Sequence, residues 1–106
     1  MASRTITTQE LKERMEDGWD FILLDVRSRD AYVKEHIEGA GSMLLAEIAE
    51  SHHELDGEKE IVVYCGSSTC QKSLKVGEKL RELGYNVIYY EAGIKAWREA
   101  GYPLES

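Results

Sequence analysis

The two cysteines are the residues of this chain best suited to chemistry, and they lie close together in residues 61–73, IVVYCGSSTCQKS. The β-branched and aromatic run 61–64 reads as a buried strand that ends at Cys65, and a helical pattern begins near Ser73. In an open parallel sheet, ligands bind beyond the carboxyl ends of the strands, where Cys65 falls if its strand is central. Behind it come Gly66, Ser67, Ser68, Thr69, Cys70, Gln71 and Lys72, mostly small residues that tolerate turns. Successive backbone N–H groups of such a loop can converge on one point as an anion cradle. The helix that follows adds positive potential from its dipole. A thiol at that focus loses its proton more readily and becomes a nucleophile without a neighbouring base. The position also suits a small, buried apolar residue, and local sequence leaves both readings open. The Cys65-x4-Cys70 spacing is tolerable for zinc, but two ligands in one loop do not define a tetrahedral site.

Asp25 and Arg27 flank the end of another apolar run, 21–26, and are expected at the same rim as Cys65, tying loops together through hydrogen bonds. Lys72 and Lys75 either draw an anion to the loop mouth or are simply solvated. His36 reads as a satisfied structural residue, His52 and His53 as solvated surface, and Trp97 as core.

These residues need elements to position them. Thr7 and Glu10 fit a capping box, and Asp17-Gly18 ends the helix it opens. Runs 21–26, 60–64 and 86–90 read as buried strands, with a very short strand at 41–43, a helical turn at 30–34 and a weak helix at 44–51. The helix over 73–83 places Leu74, Gly77, Leu80 and Leu83 along one side, with Gly84 just past its end. A closing helix spans 94–100. Strands alternating with helices predict an α/β domain with a mostly parallel sheet covered on both faces. The length of 106 residues fits one domain, 1–106. A formal charge of −7 argues against nucleic-acid or anionic-membrane binding as the main role. The start of the chain lacks the apolar stretch of a signal peptide, and the two cysteines read as thiols, so a cytoplasmic protein is expected.

With these residues in view, the chain resembles a single rhodanese domain. Ile22-Leu23-Leu24-Asp25-Val26-Arg27, then Tyr32 and Glu35-His36-Ile37-Glu38-Gly39-Ala40, is similar to the family's N-terminal signature. Val62-Val63-Tyr64-Cys65 resembles the catalytic strand end, and Glu91-Ala92-Gly93-Ile94-Lys95-Ala96-Trp97 with Gly101 and Pro103 resembles the C-terminal signature. The resemblance implies a three-layer α/β/α domain with a central five-stranded parallel sheet. It implies a sulfurtransferase that moves sulfane sulfur from thiosulfate or a persulfide to a thiol or cyanide through a persulfide on Cys65, without metal or organic cofactor. Partners are then a small sulfur-donor anion or persulfide and a thiol acceptor, including one on a protein. The loop departs from the family pattern. Eight residues run from Cys65 through Lys72, more than is usual, without arginine and with Cys70 as a candidate resolving thiol. Two alternatives stand beside this one. Relatives with a longer loop handle oxyanions as phosphatases or arsenate reductases, although that chemistry needs a fixed cation. A non-catalytic rhodanese-like binding module is the other, although Cys65 is retained.

Overall fold

The computed structural model describes residues 4–67 and 69–106. In chain order the elements are α1 (Thr8–Glu16), β1 (Phe21–Asp25), α2 (Arg29–Lys34), β2 (His36–Ile37), β3 (Gly41–Ser42), α3 (Ile48–Ser51) between two single 3₁₀ turns, β4 (Glu60–Tyr64), α4 (Lys72–Glu82), β5 (Asn86–Tyr90), α5 (Gly93–Glu99) and β6 (Leu104–Glu105). The main sheet is parallel in the order β3-β1-β4-β5, and β2 pairs antiparallel with β6 apart from it. Asp25 lies opposite Tyr64, and Tyr64 opposite Tyr90, so β1, β4 and β5 end level with one another. That shared edge is where the β4 loop emerges.

The strands are apolar along their length because both faces are covered. Leu23, Val62, Tyr64, Ile88 and Tyr90 point to one side with Leu11 of α1 and Ile94 and Trp97 of α5. Leu24, Ile61, Val63, Val87 and Tyr89 point to the other with Ile48 of α3 and Val76 and Leu80 of α4. The three layers therefore follow from period-two alternation in the strands.

The sheet has four strands rather than the expected five among the described residues. The fifth place, beside β5, holds a single parallel bridge between Thr5 and Tyr89. The Tyr89 N–H donates to the Arg4 carbonyl at 2.9 Å and the Ile6 N–H to the Tyr89 carbonyl at 3.0 Å. The chain cannot continue as a strand because Thr7 already caps α1. Its hydroxyl accepts from the Glu10 N–H at 3.1 Å while the Glu10 carboxylate accepts from the Thr7 N–H at 2.9 Å.

The buried side of α4 is also turned from the expected one. Ser73, Val76, Gly77 and Leu80 face the sheet, and Leu74 and Leu83 are exposed. Gly77 sets that face: a Cβ there would collide with the Tyr89 ring, so the helix approaches β5 at the one position without a side chain. At its other end α4 closes as expected, with the Gly84 N–H on the Arg81 carbonyl and the Tyr85 N–H on the Leu80 carbonyl, each at 3.0 Å. Among the described residues no helix is long and apolar enough to cross a membrane.

Candidate active site

Cys65 follows the last residue of β4 and is 4% exposed. The chain then turns, with the Cys70 N–H donating to the Ser67 carbonyl at 3.1 Å and the Ser67 and Thr69 hydroxyls bonded at 3.0 Å. Ser68 lies outside the described residues. Gln71 precedes the first turn of α4 and Lys72 begins it, one residue earlier than the periodicity suggests. The turn brings Cys70 back onto Cys65, and the two sulfurs are joined in a disulfide with the Cα atoms 6.2 Å apart.

The loop backbone is fixed from the α5 side. The Ile94 N–H donates to the Cys65 carbonyl and the Lys95 N–H to the Gly66 carbonyl, both at 3.0 Å. Among the described residues no peptide is cis, and in a trans peptide the N–H points opposite its own carbonyl. Anchoring these two carbonyls on α5 therefore directs the Gly66 and Ser67 N–H groups away from α5. Gly93 makes this approach possible. Its φ is +77°, and an added Cβ would lie 2.7 Å from the Ser67 nitrogen and 2.8 Å from the Cys65 oxygen. Gly93 was not among the residues singled out from sequence as site residues, although the Glu91-Ala92-Gly93 motif that contains it was visible.

Beneath the loop lies a buried polar group. Asp25 is fully buried and accepts from the Arg27 N–H at 2.9 Å, from the Arg27 guanidinium at 2.7–3.1 Å, and from the Tyr64 hydroxyl at 2.8 Å. Arg27 also donates to the Glu35 carbonyl, and its side chain passes beside Gly66. Burial opposes the charge on Arg27, but the hydrogen bonds and charge of Asp25 outweigh it and hold the guanidinium pKa up. Burial likewise pushes the Tyr64 hydroxyl pKa far up, with the Asp25 charge adding to it, so Tyr64 stays a neutral donor. Tyr64 also accepts from the buried Ile37 N–H at 3.1 Å, linking β4, β1 and β2 through one oxygen. The sequence places Tyr64 at the end of a buried strand but does not show this bridging role. A Tyr64→Phe variant leaves that N–H without a partner and is expected to cost about 1–3 kcal/mol. Urea denaturation checks this, with a lower midpoint and an unchanged slope as the expected result.

Among the described residues, two cavities flank the loop. One of about 290 Å³ is lined by Ser67, Thr69, Ala92, Lys95, Ala96 and Glu99. The other, about 430 Å³ and mostly apolar, is lined by Val26, Ser28, Leu44, Leu45, Lys72 and Lys75. Each thus has lysine at its border and neither has arginine. His36 is occupied with Tyr32, bonding its carbonyl at 2.8 Å and stacking on its ring. His52 is half-buried, not merely solvated, because it bonds the Tyr85 hydroxyl at 3.0 Å.

A cysteine at the carboxyl end of a central parallel strand, in a loop clamped by the following βα unit, places the candidate site of this α/β domain at that edge of the sheet. The family model described as Rhodanese-like domain matches residues 7–100, and the chain belongs to the rhodanese family. The chain is similar to an HTH-type transcriptional regulator of Mycobacterium tuberculosis, 36% identical over 94% of this chain and 44% of that protein. It thus spans less than half of that relative's length. It is 32% identical to the putative sulfurtransferase YtwF of Bacillus subtilis, over 92% of each chain. Among solved structures, the BH2092 protein of Bacillus halodurans superposes with a TM-score of 0.92 at 30% identity, covering 98% of this chain and 77% of that one. The family thus includes proteins named sulfurtransferases as well as a regulator.

Proposed function

We propose that residues 1–106 act as one rhodanese-like sulfurtransferase domain with Cys65 as its nucleophile. The Cys65 thiolate attacks the sulfane sulfur of a donor, the donor's S–S bond breaks, and a persulfide remains on Cys65 until a thiol or cyanide takes the outer sulfur. The observation that carries this reading is the double anchorage of the Cys65 and Gly66 carbonyls on α5. It leaves the Gly66 and Ser67 N–H groups for an anionic sulfur, with Thr69, Gln71 and Lys72 completing the loop around it. Asp25 and Arg27 serve as loop support, since their bonds run to each other, to Tyr64 and to the Glu35 carbonyl. Arg27 is therefore committed, which weighs against phosphatase or arsenate-reductase chemistry that needs a guanidinium on the oxyanion. A cytoplasmic setting suits the cycle, because it keeps thiols reduced between turnovers.

The experiment is thiocyanate formation from cyanide in excess, with reduced protein and either thiosulfate or glutathione persulfide as donor. A chain that forms no thiocyanate from either donor is a binding module instead. Among donors, thiosulfate is a dianion approaching a chain of net charge −7 whose nearby cations are flexible lysines. The persulfide is expected to show the higher specificity constant, and the Michaelis constant for thiosulfate to fall as salt screens the repulsion. A strong thiosulfate preference that weakens with salt contradicts this and makes Lys72 and Lys75 an anion clamp.

A further inference from the structure

We infer that Cys70 is a second catalytic residue and that the protein reduces its own persulfide, releasing hydrosulfide and forming the Cys65–Cys70 disulfide. This rests on the sulfurtransferase reading above. The structural ground is that the loop already closes the pair. The sulfurs are bonded with a Cα separation of 6.2 Å, inside the range of roughly 4.4–6.8 Å that a disulfide requires. The Ser67 carbonyl holds the turn that carries Cys70 back, and Cys70 packs beside Cys65 against the cluster around Val26 and Met43. The loop length permits this return within five residues.

The step balances. The Cys70 thiolate attacks Cys65 Sγ. A bond forms between the two cysteine sulfurs, and the bond from Cys65 Sγ to the outer sulfur breaks. The departing sulfur keeps the electron pair, takes the proton given up by the Cys70 thiol and leaves as hydrosulfide. The outer sulfur is reduced by two electrons, and the two cysteines together are oxidised by two. Restoring the enzyme takes a dithiol reductant, either a small dithiol or a protein with a paired-cysteine site.

Exposure gives that reduction a direction. Cys65 is 4% exposed, whereas Cys70 is only partly covered. A reductant reaches Cys70 Sγ first, forms a mixed disulfide there and expels the Cys65 thiolate. Thiol–disulfide exchange is fastest when the leaving sulfur is the better-stabilised thiolate. On the reading proposed above, in which the Gly66 and Ser67 N–H groups serve the Cys65 sulfur, Cys65 is that leaving thiolate. The reductant's second thiol then frees Cys70 and the reductant leaves as a disulfide. The nucleophile is regenerated before the resolving thiol, in the order the next turnover needs.

The test is a single turnover. Reduced protein is loaded with one equivalent of glutathione persulfide, freed of small molecules, and left without cyanide or added thiol. Hydrosulfide and intact mass are followed with time, beside Cys70→Ser and Cys70→Ala. Wild type is expected to release one hydrosulfide per chain and to end two hydrogens lighter than the reduced protein, with Cys65 and Cys70 joined in one peptide. Both variants are expected to keep the added sulfur at least ten times longer and still to surrender it to cyanide. If wild type holds its persulfide as long as the variants, the resolving role is overturned while the sulfurtransferase reading stands. If no protein acquires sulfur that cyanide removes, both readings fall.

Discussion

Replacing Cys65 with serine is expected to lower thiocyanate formation by at least about a thousandfold, the scale seen when a covalent nucleophile is removed. A serine hydroxyl carries negligible alkoxide near neutral pH and offers no sulfur to form the persulfide bond, so no sulfur can be held between donor and acceptor. Cys65 is fixed by the end of β4 and by the Ile94 N–H on its carbonyl, whereas Cys70 sits five residues into the loop. Cys70 therefore does not stand in for Cys65 at the anchored backbone N–H groups. Cys70→Ser is expected to retain thiocyanate formation in excess cyanide, since cyanide takes the sulfur directly. Retention of activity in Cys65→Ser overturns the assignment. Equal loss in both variants makes the two thiols a joint nucleophile.

Gly93→Ala is expected to damage both stability and sulfur transfer. The left-handed backbone costs a residue with a Cβ roughly 1–2 kcal/mol. The close approach to the Cys65–Ser67 backbone adds an overpacking cost of about 1–3 kcal/mol, because backbone cannot rotate out of the way as a side chain can. The loop is expected to shift off α5, loosening the bonds from Ile94 and Lys95 to the Cys65 and Gly66 carbonyls. Misplacement on the scale of 1 Å near a reacting centre is worth up to ~100-fold in rate. Gly84→Ala is the control. Gly84 also has a left-handed φ, +96°, but a Cβ there meets nothing within 4 Å. Both variants are expected to melt lower, and only Gly93→Ala to lose sulfur transfer by tenfold or more at a temperature where it is folded. Equal activity in the two contradicts a role for α5 in holding the loop.

The sequence carried the layers of this fold because both of its periodicities are strong. The continuous apolar strands at 21–26, 60–64 and 86–90 need two covered faces, and the Thr7–Glu10 capping box marks the start of α1. What it did not carry depends on contacts between distant residues. The side of α4 that packs inward is set by Gly77 meeting Tyr89, which no helical wheel contains. Among the described residues, the place beside β5 is a competition between strand pairing and capping α1, and the Thr7 cap takes the chain away after the Thr5 bridge. The placement of Cys65, Asp25 and Arg27 at one rim of the sheet was legible because strand ends fix it. Tyr64 and Gly93 were not, because each acts across elements: one hydroxyl joins three strands, and one absent side chain lets α5 touch the loop. Both lie within motifs visible in the sequence, but a motif does not say which of its atoms make the contact.

The central claim is that Cys65 carries sulfur, and intact mass tests it most directly. The protein is reduced, desalted and treated with thiosulfate or polysulfide in the Cys70→Ser background, where any sulfur taken up is retained. The account predicts a gain of one sulfur atom, located on the peptide containing Cys65 and removed by cyanide. A Cys70→Ser protein that stays at its unloaded mass with both donors, while remaining folded, contradicts it.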